Sequence, residues 1–152
     1  MSQKVIDLLN KGRSREMAAI IQYMAQHYEL EDSDFGKLAS KFKETAITEM
    51  KHAEKLAERI LFLKGEPTSK PDSIPKKGQK IAEMLTTNMA LEAAAMKMYN
   101  EAAGVCAAEK DQISKELFEE LLKDEEDHFN YFENVKDHID KLGTAYLATL
   151  VG

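Results

Sequence analysis

The chain has 152 residues, 43% of them hydrophobic, with 21 basic and 27 acidic residues and a formal charge of −6. This length suits one domain with a sizeable core, and the acidic balance argues against general nucleic-acid binding while leaving cationic ligands open. The single cysteine, Cys106, excludes an internal disulfide and a Cys-x-x-Cys metal site, and no run approaches the roughly 20 apolar residues of a membrane span.

Three Pro, seven Gly and no Trp, beside abundant Ala, Leu, Glu, Lys and Met, favour an all-α protein. The start, MSQKVIDLLNKG, lacks the apolar run of a signal peptide, so the expected location is the cytoplasm.

The first periodic segment spans about 3–30 and carries Val5, Leu9, Ile20, Tyr23, His27 and Leu30 on one side. EDSDFG follows, rich in cap and turn residues. The second segment, about 35–64, has the stripe Leu38, Phe42, Glu49, His52, Leu56, Ile60 and Leu63, spaced by threes and fours. GEPTSKPDSIPKKGQK holds all three prolines and suits a connection that travels the length of a bundle. The third segment, about 79–108, aligns Ile81, Leu85, Glu92, Tyr99, Ala103 and Cys106. EKDQIS breaks it, with Asp111 placed as a helix cap. The fourth, about 112–142, carries Leu117, Leu121, Glu125, His128, Phe132, Val135, Ile139 and Leu142 and should end at Gly143. The apolar tail TAYLATLV predicts a short fifth helix over 144–151. Two helical hairpins joined by one long crossover make an antiparallel four-helix bundle, expected as a single domain over 1–152.

Each of the four stripes holds a Glu where an apolar residue belongs: Glu16, Glu49, Glu92 and Glu125. Two are followed at the i+3 position by His, as Glu49-Met-Lys-His52 and Glu125-Glu-Asp-His128, and residues so spaced share a helix face. Glu16 and Glu49 are equidistant from EDSDFG, as Glu92 and Glu125 are from EKDQ, so each lies about 25 Å from its turn at 1.5 Å per residue. All four can meet near mid-bundle if the crossover sets the hairpins in matching register. The halves also repeat: adding 76 to Glu16, Tyr23, Glu49 and His52 gives Glu92, Tyr99, Glu125 and His128.

Four carboxylates at one buried level repel each other unless they are protonated or neutralised. Two divalent cations cancel their charge, and an oxygen and imidazole donor set without thiolate suits iron or manganese, with zinc as a competitor. A Glu from two helices and Glu-x-x-His from the other two is also the known pattern of ferritin-like di-iron bundles, so the constellation is recognised as well as reasoned. The plain alternative is exposed glutamates and ordinary core histidines, which six residues in register on four stripes argue against.

The run EMKHAEKLAERILFLKGEP at 49–67 closely resembles the second helix of bacterioferritins. REMAAIIQYM near Glu16, LEAAAMKMYNEA near Glu92 and LKDEEDHF near His128 are similar to that family's other motifs. The resemblance implies a ferritin-like bundle in which Glu49 and Glu125 bridge two iron ions. Glu16 and Glu92 would be terminal carboxylate ligands, with His52 and His128 as terminal nitrogen ligands. Tyr23 matches a tyrosine beside the di-iron site, where a redox role and a plain core role both stay open. Met50 is turned about 100° from Glu49, off the metal face. It matches a methionine that, with its symmetry mate, ligates a b-type haem at a twofold interface; an apolar dimer contact is the simpler reading. Glu44 and Thr48 stand where the family can carry His and Asp for an extra iron site on the cavity side, so that site departs from the pattern.

The resemblance further implies iron storage and detoxification, with Fe²⁺ oxidised by dioxygen or hydrogen peroxide. It implies a homo-oligomeric shell of twenty-four subunits, with twelve as the alternative, and a ferredoxin-type reductant for any haem. Rival readings are a di-iron peroxidase of the rubrerythrin type, a small DNA-protecting cage and a purely structural helical oligomer.

Overall fold

The computed structural model describes residues 2–152. Four long helices, α1 (Gln3–Asp32), α2 (Gly36–Phe62), α3 (Ile81–Ala108) and α4 (Gln112–Leu142), are followed by α5 (Thr144–Leu147) and a 3₁₀ turn, Ala148–Leu150. The α1–α2 and α3–α4 hairpins pack together through α1 against α3 and α2 against α4. Among the described residues no helix is long and apolar enough to cross a membrane.

The helix ends show why the boundaries fall where they do. The α1 helix continues through Glu31 and Asp32, although EDSDFG has the composition of a turn, and Ser33 closes it with backbone and Oγ bonds to the Glu29 carbonyl. Asp34 then takes a left-handed φ of 67°, leaving a tighter turn than that motif implies. α2 stops at Phe62, with Lys64 left-handed and the Gly65 N–H bonded to the Ile60 carbonyl at 2.9 Å. Gly65 is needed for close approach, since a Cβ there would lie 2.7 Å from Ile6 Cγ2. α3 starts at Ile81 because Lys80 is its cap, its N–H held by Glu83 at 2.8 Å. Asp111 caps α4 by accepting from Ser114 N, and Gly143, at φ 60°, ends it. The tail yields one α turn and one 3₁₀ turn in place of the continuous short helix expected over 144–151.

The crossover is strapped to α1 along most of its length. Asn10 pairs with the Glu66 carbonyl and the Thr68 N–H, and Arg13 donates to the Thr68 carbonyl. Farther along, Gln22 pairs both ways with the Lys76 backbone, and Glu29 accepts from Gly78 N. These bonds carry the chain back to the level where α3 must begin. Between α1 and α3, Gln26 and Asn88 form a buried, doubly hydrogen-bonded amide pair that fixes register between the hairpins.

Two apolar clusters fill the bundle. One gathers Leu9, Leu56, Ile60, Tyr99, Cys106, Phe118 and Leu121; the other gathers Tyr23, Leu30, Leu38, Phe42, Leu85 and Phe132. Each fully buried large side chain contributes about 1.5–3 kcal/mol. Ile20 is only partly buried and Leu142 is 56% exposed, so both lie at the margin of their stripes. Between the clusters, in chain position on all four helices, lies a polar level.

Candidate metal centre

Each long helix supplies one glutamate to this level, and Glu16, Glu49, Glu92 and Glu125 are all completely buried. On α2 and α4 the i+3 spacing sets His52 and His128 beside Glu49 and Glu125. The His52 Nδ1 lies 3.2 Å from Glu49 Oε1, 3.5 Å from Glu16 Oε1 and 3.7 Å from Glu125 Oε1. The His128 Nδ1 lies 3.1 Å from Glu125 Oε1, 3.5 Å from Glu49 Oε1 and 3.8 Å from Glu92 Oε1.

These contacts divide the six residues into two sets, Glu16, Glu49, His52, Glu125 and Glu49, Glu92, Glu125, His128, each with ligand atoms within 4.8 Å of one another. Glu49 and Glu125 belong to both. The arrangement could hold two adjacent cations that share two carboxylates.

Unsatisfied atoms show how well such cations fit. Glu16 Oε2, Glu49 Oε1, Glu92 Oε2, Glu125 Oε1, His52 Nδ1 and His128 Nδ1 are buried without a hydrogen-bond partner. Each of the six residues thus contributes one such atom to a single level. Leaving a buried polar atom unpaired costs about 1–3 kcal/mol, and a cation shared across this level would satisfy all six. Carboxylate oxygens and imidazole nitrogens are donors that divalent iron, manganese or zinc accept.

Three supports around the centre, Tyr99, Asp124 and Arg15, were not assigned from the sequence, whereas Tyr23 was placed beside it by the resemblance. Tyr99 donates to Glu16 Oε1 and Tyr23 donates to Glu92 Oε1, both at 2.5 Å. Each hairpin's tyrosine therefore holds the other hairpin's glutamate, as a twofold repeat demands; Tyr99 was visible in the repeat without a role. Asp124 accepts from His52 Nε2 at 2.7 Å, which leaves Nδ1 as the nitrogen facing the glutamates. Its only sequence signal was a place in the acidic run KDEED.

Arg15 is the third and largest surprise. Its guanidinium is 3% exposed and reaches all four glutamates: Nη1 contacts Glu49 at 2.6 Å, Glu16 at 3.2 Å and also Glu125, and Nη2 contacts Glu92 at 3.0 Å. The signal available was a cation directly beside an inward-facing carboxylate, in the run RSRE.

The electrostatics follow from burial and these contacts. Burial pushes Glu16 upward, but Arg15, His52 and Tyr99 outweigh it and bring the acid down to about 2. Glu92 is likewise lowered, with burial overcome by Arg15, His128 and Tyr23. The shared pair, Glu49 and Glu125, goes the other way, raised by burial and by the surrounding carboxylates. Burial opposes charge on His52, yet the facing Glu16 and Glu49 lift it to about 11, and Glu92 and Glu49 raise His128 in the same way. The facing carboxylates thus favour protonated imidazoles, and a metal ion bound at these nitrogens would have to expel the proton there.

With this geometry established, likeness to known proteins acquires meaning. A ferritin-like domain model matches residues 6–142. A bacterioferritin of Desulfovibrio desulfuricans is 42% identical, over 98% of this chain and 83% of its own. The chain belongs to the bacterioferritin family. A Rhodobacter capsulatus bacterioferritin is 39% identical, over 97% of this chain and 91% of its own. Among solved structures, a D. desulfuricans bacterioferritin captured with its di-iron site in different catalytic states superposes with a TM-score of 0.96, at 42% identity over 98% of this chain and 87% of that one. The R. capsulatus bacterioferritin, with a metal-free dinuclear site and haem iron, gives 0.95 at 36% identity over 100% and 96%.

The other residues to which the family pattern draws notice lie away from the carboxylates. Met50 is 42% exposed and off the metal face. Glu44 and Thr48 line an open pocket of about 230 Å³ with Lys41, Asp127, Tyr131 and the accessible side of His128.

Proposed function

We propose that the chain oxidises Fe²⁺ with dioxygen or hydrogen peroxide at the centre of each subunit and stores the ferric product inside an oligomeric shell. Iron storage accords with membership of the bacterioferritin family. The observation that carries the oxidation step is the pair of four-residue ligand sets sharing Glu49 and Glu125. Two Fe²⁺ held side by side supply two electrons together, which takes O₂ to H₂O₂, or H₂O₂ to two waters, with protons taken up from solvent and without a one-electron radical. In this reading Glu49 and Glu125 would be shared by the two substrate ions. Glu16 with His52 and Glu92 with His128 complete the two sites. As hard anionic donors the carboxylates favour the ferric product. Tyr23 and Tyr99 fix the terminal carboxylates by hydrogen bonds, and Asp124 fixes the ring of His52.

The wider reading is a cytoplasmic homo-oligomer of twenty-four subunits, with twelve as the alternative. A b-type haem would sit between two copies, ligated by Met50 from each and reduced by a ferredoxin-type donor. Ile21, Tyr28, Ile47 and Met50 are exposed on α1 and α2, which supplies apolar surface for such a contact. Particle mass together with an ultraviolet–visible spectrum reads shell size and haem at once.

The test of oxidation loads the protein with Fe²⁺ under anaerobic conditions and then admits oxygen. Two irons per chain should bind and oxidise in a fast phase, and Glu49→Ala or His128→Ala should abolish that phase. Fast oxidation surviving both substitutions would remove this site from the reaction.

A further inference from the structure

The guanidinium of Arg15 lies where the proposed cations would be, and its contacts are distributed in a particular way. It takes Glu49 Oε2, Glu125 Oε2, Glu16 Oε1 and Glu92 Oε1, one oxygen of each carboxylate. The other oxygen of each, Glu49 Oε1, Glu125 Oε1, Glu16 Oε2 and Glu92 Oε2, is the one without a partner. Half of every carboxylate is thus neutralised from within the chain.

A carboxylate that bridges two metal ions commonly uses both of its oxygens, one for each ion. Arg15 holds one oxygen of each shared glutamate, so it competes with a bridged pair for those oxygens. Charge points the same way, because a guanidinium stays protonated throughout the working pH range and repels a divalent cation placed beside it. Its Nε is itself buried without a partner, so the present position leaves one donor of the fork unsatisfied. The position offset by 76 residues in the other hairpin is Leu91, so the repeat supplies one such cation and not two.

We propose that Arg15 is an internal counter-ion, which holds the four glutamates in register before metal binds and has to withdraw for the bridged metal pair to form. The inference rests on the reading of the six residues as metal ligands. The guanidinium bridges α1 to α2, α3 and α4 through one planar group, whereas a metal pair supplies the same cross-links with four positive charges. Arg15 thereby exchanges stability of the metal-free bundle against metal affinity. Its withdrawal also gives the second ion a different affinity from the first.

The test compares the wild-type protein with Arg15→Met and Arg15→Lys, using Zn²⁺ as a redox-inert probe. Metal binding is followed by calorimetric titration, and unfolding temperature is read with and without metal. Arg15→Met should bind the pair at least tenfold more tightly, with its two steps closer in affinity. Its metal-free form should melt at lower temperature and its metal-loaded form no lower than wild type. Arg15→Lys keeps the charge without the fork and should fall between. If Arg15→Met is recovered only with Zn²⁺ present, its unfolding on chelation supports the inference; if it is recovered in neither state, the Arg15→Lys isotherm decides, tighter for and unchanged against. Two ions bound by wild type and Arg15→Met with the same affinities and melting temperatures would overturn the role of Arg15 while leaving the metal centre standing. No ion bound by any variant would instead sink the metal centre, and Arg15 as its competitor with it. An ion pair bound only by Arg15→Met would support the inference while removing metal binding from the native chain.

Discussion

The two hairpins contribute the same four groups to the centre at a constant offset: Glu16, Tyr23, Glu49 and His52 from one, Glu92, Tyr99, Glu125 and His128 from the other. They differ in what surrounds those groups. Asp124 fixes His52, while the residue at the matching offset, Thr48, lines the open pocket beside His128. Arg15 faces the glutamates, while its counterpart is Leu91. The His52 side is closed and braced; the His128 side chain is 14% exposed and lacks a carboxylate brace from that position. In the proposed function the symmetry of the donors has a reason, because two similar cations would need similar ligands. The surroundings are free to diverge, and on that reading they would set the order, access and affinity with which the cations arrive.

The largest effects should come from the residues that belong to both sites. Glu49→Ala or Glu125→Ala should lower stoichiometric Zn²⁺ binding from two ions to one or none, measured by equilibrium dialysis, because each removes a ligand from both ions. Equal losses would support the symmetry, and retention of two tight ions in either variant would break it. Next in size is the braced side: Asp124→Asn should weaken one of the two binding steps by about 10- to 100-fold, the usual consequence of releasing a ligand imidazole. Thr48→Val at the matching offset should change either step by no more than about twofold, since it removes no brace. Similar losses in the two variants would mean that the asymmetry is only apparent.

The tyrosines should again behave alike. Tyr23→Phe and Tyr99→Phe each remove one buried hydrogen bond to a terminal glutamate and should cost the metal-free protein about 1–3 kcal/mol in denaturant unfolding. A large difference between them would localise the strain to one hairpin.

Acidity gives the gentlest probe. The folded value of His52 is raised to about 11, so its contribution to metal-free stability is full below the unfolded value near 6.5 and is lost as pH rises through about 11. Glu16, lowered to about 2, contributes above its ordinary value and loses that contribution as pH falls through about 2. Metal must displace the imidazole protons, so the rise in melting temperature caused by Zn²⁺ should grow from pH 6 to pH 8. A rise independent of pH would mean that the imidazoles are not ligands.

How much of this was legible in the sequence depends on the length of the side chain involved. Glutamate and histidine are short enough that helical spacing decides where they point, so stripe positions and turn distances sufficed to bring the six together on paper. Arginine is long. Arg15 sits about 100° around the helix from Glu16, and its stem folds back into the core, a course that spacing does not encode. Asp124 was hidden differently, by acidic neighbours on a mostly solvated face. The crossover could be read as long and non-helical from its prolines, but not its path, because the bonds that strap it come from Asn10, Arg13 and Gln22, polar residues ordinary on any helix surface. Helix ends shifted by two residues where backbone geometry at Asp34 and Lys64, or the Lys80 cap, overrode composition.

Anomalous diffraction at the iron edge, from crystals soaked anaerobically with Fe²⁺, tests most directly whether two cations neutralise the six inward-pointing donors. Two peaks per subunit are expected between Glu49 and Glu125, one beside Glu16 and His52 and the other beside Glu92 and His128, with the Arg15 guanidinium moved away. A map without iron at this level, with Arg15 still bonded to all four glutamates, would contradict it.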